Sequence, residues 1–350
     1  MTMNNKKATI VLASSVLIVL AFVPMQLNAF GVDENQASGS LTIIEQTKIP
    51  KSIKSFEVKN FEPENIRNDI SKNHLSINYK GDQYDLRLFE DRSILDENFK
   101  AYEMVDGSET VVSIDHIKIY TGYVSGDSDS RVSLVVSDDN VSGFIKTADT
   151  EIAIEPLSFM DKTLQGDKQI MYDLSDLTSN LDFGDDVRHM PDMKAESKTV
   201  DWIEDGIIPL ASADPGHQAG LIVVADTDYI TLHGGSCTTQ ILTIVGGMNS
   251  IYYDTEATMN LLSVDCAGNT YLDSSSIGGN LTDLEEEWDG LGTTRDMVLA
   301  FLGDDKDYGG LGEAWDIPGI DDPTNNGYAV MQMVDDTYVT DGYDARYIYR

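Results

Sequence analysis

At 350 residues and 41% hydrophobic content the chain is long and apolar enough to build two globular cores, which excludes a disordered polymer. Its 60 acidic residues against 24 basic ones give a formal charge of −36, so nucleic acid and anionic membrane surfaces are repelled and excluded as partners. The acidity itself has two readings: a solvated surface suited to an extracellular or salty medium, or a site for a hard cation such as calcium.

Taken in order, the chain opens with Lys6 and Lys7 before an apolar run from Ala8 to Val23, followed by the small-residue exit Leu27-Asn28-Ala29. Residues 1–29 therefore read as a secretory signal, with an uncleaved N-terminal anchor as the alternative, and the destination as secreted or extracellular. Residues 30–157 read as an antiparallel β domain. Short strands LSINY, DQYDLRLF, SIDHIKIYTGYV, SRVSLVVS, VSGFIKT and EIAIEPL are broken by GD, DGSE, SGDSDS, SDDN and ADT turns. The alternation of Val132, Leu134 and Val136, and of Ile152 and Ile154, predicts strands with one buried and one wet face. Residues 158–219 shift to Asp, Lys, Met, Ser and Pro without a period and read as a linker.

From Gly220 the character becomes α/β. Leu221 to Asp226 is a continuous apolar run expected of a buried strand. Ile241, Leu242, Val245, Met248 and Tyr252 fall at helical spacing, Met259 to Asp265 reads as a second strand, and Leu281 to Trp288 as a short acidic helix capped by Thr282. Met297, Val298, Leu299, Phe301 and Leu302 predict a further helix, with Thr293 or Thr294 as its cap and Gly303 as its end. Gly309 to Trp315 follows as a strand of small residues, a pattern that admits close approach of another backbone, and Gly327 to Asp336 as another strand. The whole is α+β, an antiparallel β domain followed by a mixed-sheet α/β domain. Cys237 and Cys266 are the only cysteines, and outside the cell such a pair reads as a disulfide. Asn140-Val141-Ser142 and Asn280-Leu281-Thr282 are formal glycosylation sequons.

Two stretches carry a family resemblance. Tyr120 to Val124, Ser130 to Leu134, Gly143 to Ile145 and Ile154 to Leu157 reproduce, in order, a Y-x-G-x-V turn, an S-x-V strand, a G-x-I strand and a closing I-E-P-L. Together they resemble the end of the propeptide of reprolysin-type (adamalysin, ADAM-like) zinc metallopeptidases of the metzincin clan. VVADTDYI, MNSIY, RDMVLAFLG and GLGEAW resemble the N-terminal part of the catalytic domain of that family. The resemblance implies a secreted metalloendopeptidase precursor acting on protein or peptide in an extended conformation. It implies that Leu311, Gly312, Glu313, Ala314 and Trp315 form the edge strand against which the substrate lies, and that the family's cofactor is zinc; the aspartates near Ala225 to Tyr229 and in Gly303 to Asp307 have two readings, surface solvation first and a structural calcium, as in related enzymes, second.

The zinc chemistry of that family needs H-E-x-x-H-x-x-G-x-x-H, and the sequence does not contain it. His74, His116, His189, His217 and His233 are none of them followed by Glu, and no two lie four apart. His233 with Cys237, joined by His217 and Cys266, matches no standard zinc spacing. The chain is thus expected to hold the propeptide and about the first half of a catalytic domain, residues 220–350, in an inactive or truncated form without catalytic residues. The alternative is a non-catalytic secreted binding protein built from the same domains.

Overall fold

The computed structural model describes residue 49 and residues 53–160, 168–176, 217–233, 237–252, 257–289, 291, 295–303, 312–314 and 327–332. The elements in order are β1 (Glu57–Asn60), α1 (Pro63–Ser71), β2 (Leu75–Tyr79), β3 (Asp82–Glu90), β4 (Leu95–Val105), β5 (Ser108–Val112), β6 (Lys118–Val124), β7 (Asp127–Val136), β8 (Val141–Lys146), β9 (Glu151–Pro156), α2 (Leu157–Met160) and β10 (Lys168–Asp173). The second half adds β11 (His217–Asp226), α3 (Thr227–His233), α4 (Cys237–Tyr252), β12 (Ala257–Asn269), α5 (Ile277–Trp288), β13 (Met297–Leu302), β14 (Gly312–Ala314) and β15 (Gly327–Gln332). Among the described residues these strands form two sheets, so the molecule is α+β. An eight-stranded sheet has the order β1-β10-β9-β8-β7-β6-β3-β2, and a seven-stranded sheet the order β14-β15-β13-β11-β12-β4-β5.

The first sheet is antiparallel throughout. One face carries Leu134, Val136, Ile145, Ile152, Ile154 and Met171, covered by Phe61 and by Ile66 and Ile70 of α1. The expectation of a wet opposite face fails. Ser133, Val135, Phe144, Ala153 and Tyr172 on that side are 0–1% exposed, because α4 is laid against it. Lys168–Asp173, inside the stretch expected to be a linker, is a strand held between β9 and β1.

The second sheet is mixed: β4, β12, β11, β13 and β15 run parallel, with β14 and β5 antiparallel at the two ends. Met297–Leu302 corrects the expected helix. It is a central strand, paired on one side with β11 and on the other with β15. A short apolar run gives no reliable period. Here Val298, Ala300 and Leu302 pack towards α5 while Leu299 and Phe301 pack towards α4, so both faces are buried and ladder bonds satisfy the backbone on both edges.

Helix α4 lies between the sheets and is buried nearly all round, as its Ile241, Leu242, Ile244 and Val245 require. On the first sheet's side Thr243 meets Ser142, hydroxyl to hydroxyl at 2.6 Å. Gly246 lies so near Ser133 that an added Cβ would stand 2.6 Å from its Oγ. On the second sheet's side Asn249 donates to Met259 O at 2.9 Å and accepts from Met259 N at 2.7 Å. A disulfide joins Cys237, the first residue of α4, to Cys266 of β12.

The β4–β5 hairpin is where the halves of the chain interlock. β3 and β6 are neighbours in the first sheet, yet the hairpin between them leaves that sheet and joins the second. β4 pairs parallel with β12 through Leu95↔Leu261, Lys100↔Ser263, Ala101↔Val264, Tyr102↔Asp265 and Glu103↔Cys266. Its two-residue turn is Asp106-Gly107, with φ of 52° and 78°, the left-handed pair that a tight hairpin needs.

Candidate substrate-strand site

The site is the β14 end of the second sheet. Gly312, Glu313 and Ala314 pair antiparallel with Met331, Val330 and Ala329 of β15, and β14 is the last strand in the order, with Ala314 exposed. Leu311 and Trp315, the other two residues expected here, lie outside the described residues. Among the described residues no strand pairs with the outer edge of β14. An edge of this kind offers N–H and C=O groups to an added strand whatever its side chains.

The supporting strands are fixed at both ends. At their N-terminal ends Asp296 N donates to Gly220 O at 2.9 Å, Gly220 N donates to the Asp296 carboxylate at 2.5 Å, and Gly327 N donates to Asp296 O at 2.7 Å. Beside them Arg295, 7% exposed, lies over the Trp288 and Tyr328 rings at 5.4 and 5.9 Å and donates to Tyr328 Oη at 3.0 Å and to Trp288 O. This ties the end of α5 to the starts of β13 and β15. Helix α5 is capped by Ser276, whose Oγ accepts from Gly279 N at 3.0 Å. Thr282, expected in that role, bonds Gly278 O within the helix instead.

At the C-terminal ends Asp226 Oδ1 accepts from Tyr229 N at 2.6 Å and from Gly303 N at 2.9 Å. A Cβ on Gly303 would fall 2.0 Å from Tyr229 N, so the start of α3 sits directly on the end of β13. At the ends of β11 and β13 the crevice at the carboxyl ends of parallel strands, the usual place for a ligand in α/β sheets, is filled by the protein's own backbone. Asp226, a candidate for calcium in the sequence, is a buried cap and tie in the fold. A cleft of 440 Å³ lined by Arg92, Asp96, Phe99, Ile114 and Asp115 lies at the foot of the β4–β5 hairpin, at the opposite end of the sheet from β14.

Among the described residues no three His, Cys, Asp or Glu side chains are grouped to hold a metal, and both cysteines are in the disulfide. His189 and the aspartates 304, 305 and 307 lie outside the described residues. The two sequons are not open acceptors: Asn140 is 7% exposed, and Asn280 is fully buried, its carboxamide bonded to Ser274 N, Ser274 O and Ser276 O. No helix among the described residues is long and apolar enough to cross a membrane.

No known family's model matches the chain, and no curated protein matches it. Solved structures do. Metalloproteinase-II from Bacteroides fragilis aligns over 77% of this chain and 79% of its own length, at 14% identity and a TM-score of 0.44. A chaperone–substrate complex aligns over 39% of this chain and 23% of its own, at 9% identity and a TM-score of 0.30.

Proposed function

We propose that the chain carries the propeptide and substrate-strand portion of a secreted, reprolysin-like zinc metalloendopeptidase precursor, with β14 as the strand that receives an extended peptide. The observation that carries this is the position of Gly312–Ala314 at the end of the sheet, antiparallel to β15 and backed by the five parallel strands β15, β13, β11, β12 and β4. The order of propeptide-like signals from Tyr120 to Leu157, ahead of an α/β half, supports the precursor reading. Backbone recognition explains a protein substrate class, because an added strand is held through N–H and C=O groups common to all residues.

Because the described residues hold no zinc ligand set, no hydrolytic step is assigned to them. In a second reading the same edge binds peptide without cutting it. Hydrogen exchange on the full chain, with and without reduced unfolded casein fragments, tests the shared claim. Slowed exchange at Gly312–Ala314 is the expected result, and unchanged exchange there would overturn it. Casein hydrolysis by the same preparation, lost on chelation, would decide for the first reading over the second.

A further inference from the structure

We propose that the β4–β5 hairpin is an arm that holds the N-terminal half on the α/β half without help from the covalent connection, so that a chain cut between Asp176 and His217 persists as a tight two-fragment complex. The arm is an excursion between two strands, β3 and β6, that pair with each other through Glu90↔Tyr120 and Leu86↔Val124, so the first sheet does not need it for closure. It serves the second sheet. Five residue pairs join it to β12, and Leu261 N donates to Ile94 O at 2.7 Å where the arm leaves the first sheet. Glu103 of β4 also accepts from Thr238 Oγ1 of α4 at 2.8 Å.

The arm is anchored at its base and bare at its tip. Ala101 is buried and Leu95 and Phe99 pack, half-buried, against the core cluster, whereas Met104, Val105 and Val111 are 51%, 44% and 54% exposed. The backbone ladder fixes register and direction, and the base of the arm adds apolar contact. Further apolar contact comes from the neighbouring layer, where Val135, Phe144 and Tyr172 of the first sheet share one cluster with Ile241, Val245 and Leu299. Leu95 and Phe99 join that cluster, so the arm closes one side of the shared core and its ladder prevents sliding; without it the remaining contact is open at that side. The disulfide lies wholly within the α/β half and contributes no link between fragments.

That a cut within residues 177–216 would separate a propeptide from its enzyme rests on the precursor reading; the test of the arm measures association and no activity. A specific protease site is inserted within residues 177–216 of the full chain, and the cut protein is diluted to about 1 µM, where an interface weaker than micromolar separates, and run on a sizing column. Both fragments are expected in one peak at the volume of the uncut chain. A second protein with residues 95–112 replaced by a short Gly-Ser turn is expected to separate after the same cut. Separation of the cut parent, or persistence of the cut armless protein as one particle, would overturn the proposal.

Should the armless protein fail to fold, Tyr102→Pro, which removes an N–H from the edge of β4 that faces β12 beside Asp265, takes its place under the same criterion. Hydrogen exchange on the cut parent adds an independent measure. Amides of Ser263 to Cys266 stay as protected as in the uncut chain if the arm is seated, and loss of that protection refutes the arm's role.

Discussion

At the scale of single residues, the fold depends on polar groups that join segments far apart in sequence. Asp226 ends the predicted strand Leu221 to Asp226 and its acidity is plain in the sequence, but the Gly303 N–H it binds comes from 77 positions along the chain. No local pattern reveals such a partner. Asn280 is similar: the sequon is legible, whereas the burial that makes its carboxamide a loop brace is not. Asp265 of β12 offers a test. Burial holds its carboxyl above the ordinary 3.8, the Glu109 carboxylate pushes the same way, and bonds from Ala267 and Asn269 pull back. A carboxyl with a raised folded pKa keeps its proton more tightly when folded. Its cost is therefore absent below 3.8, grows as pH rises and is complete above the folded value. Asp265→Asn is expected to raise Tm at pH 7, with the gain shrinking as pH falls towards 3.8. A gain that is the same across that range, or a loss at pH 7, would contradict this assignment.

Elements differ in how openly the sequence declares them. β2, β3, β6, β7, β8 and β9 were legible because turn residues bound short alternating runs. β4 was hidden, since Asp96, Glu97, Asn98, Lys100 and Glu103 give it the composition of a loop, and only its pairing with β12 makes it a strand. The Asp106-Gly107 turn was visible while the strands it joins were not. β13 failed in the other direction: an apolar run with Gly303 after it satisfies a helix as well as a buried strand, and the choice falls to the neighbours β11 and β15. Of the candidate site, the strand character of Gly312–Ala314 was legible from its small residues, while its place at the end of the sheet is a property of topology alone. Helix α4 owes its position to contacts on two sides and to the bond from Cys237 to Cys266. Replacing both cysteines by serine is expected to lower unfolding free energy by about 3 kcal/mol, read from denaturant midpoints with little change in slope. A shift below about 0.5 kcal/mol would mean that the packing of α4 alone sets its place.

Across the whole molecule, the layers run from α1 through the first sheet, α4 and the second sheet to α5, and the middle layers share one apolar cluster. The sequence suggested two domains in succession, because composition changes near Ser158 and again near Gly220, but composition does not report which strand crosses from one sheet to the other. The α/β half by itself would lose the cover over Thr243, Gly246 and Ile244 and the strand beside β12. Residues 217–350 alone are expected to melt without a cooperative transition and to bind a hydrophobic dye strongly. A sharp melt of that fragment would show that the shared core is dispensable. The crossing hairpin has one more consequence, in the order of synthesis. Leu95 leaves the ribosome long before Leu261, its partner in the ladder. At 5–20 residues per second the interval is on the order of ten seconds. For that time the nascent chain carries a hairpin whose β4 edge lacks its β12 partner and whose Leu95 and Phe99 lack the core they pack on, a natural target for a holding chaperone.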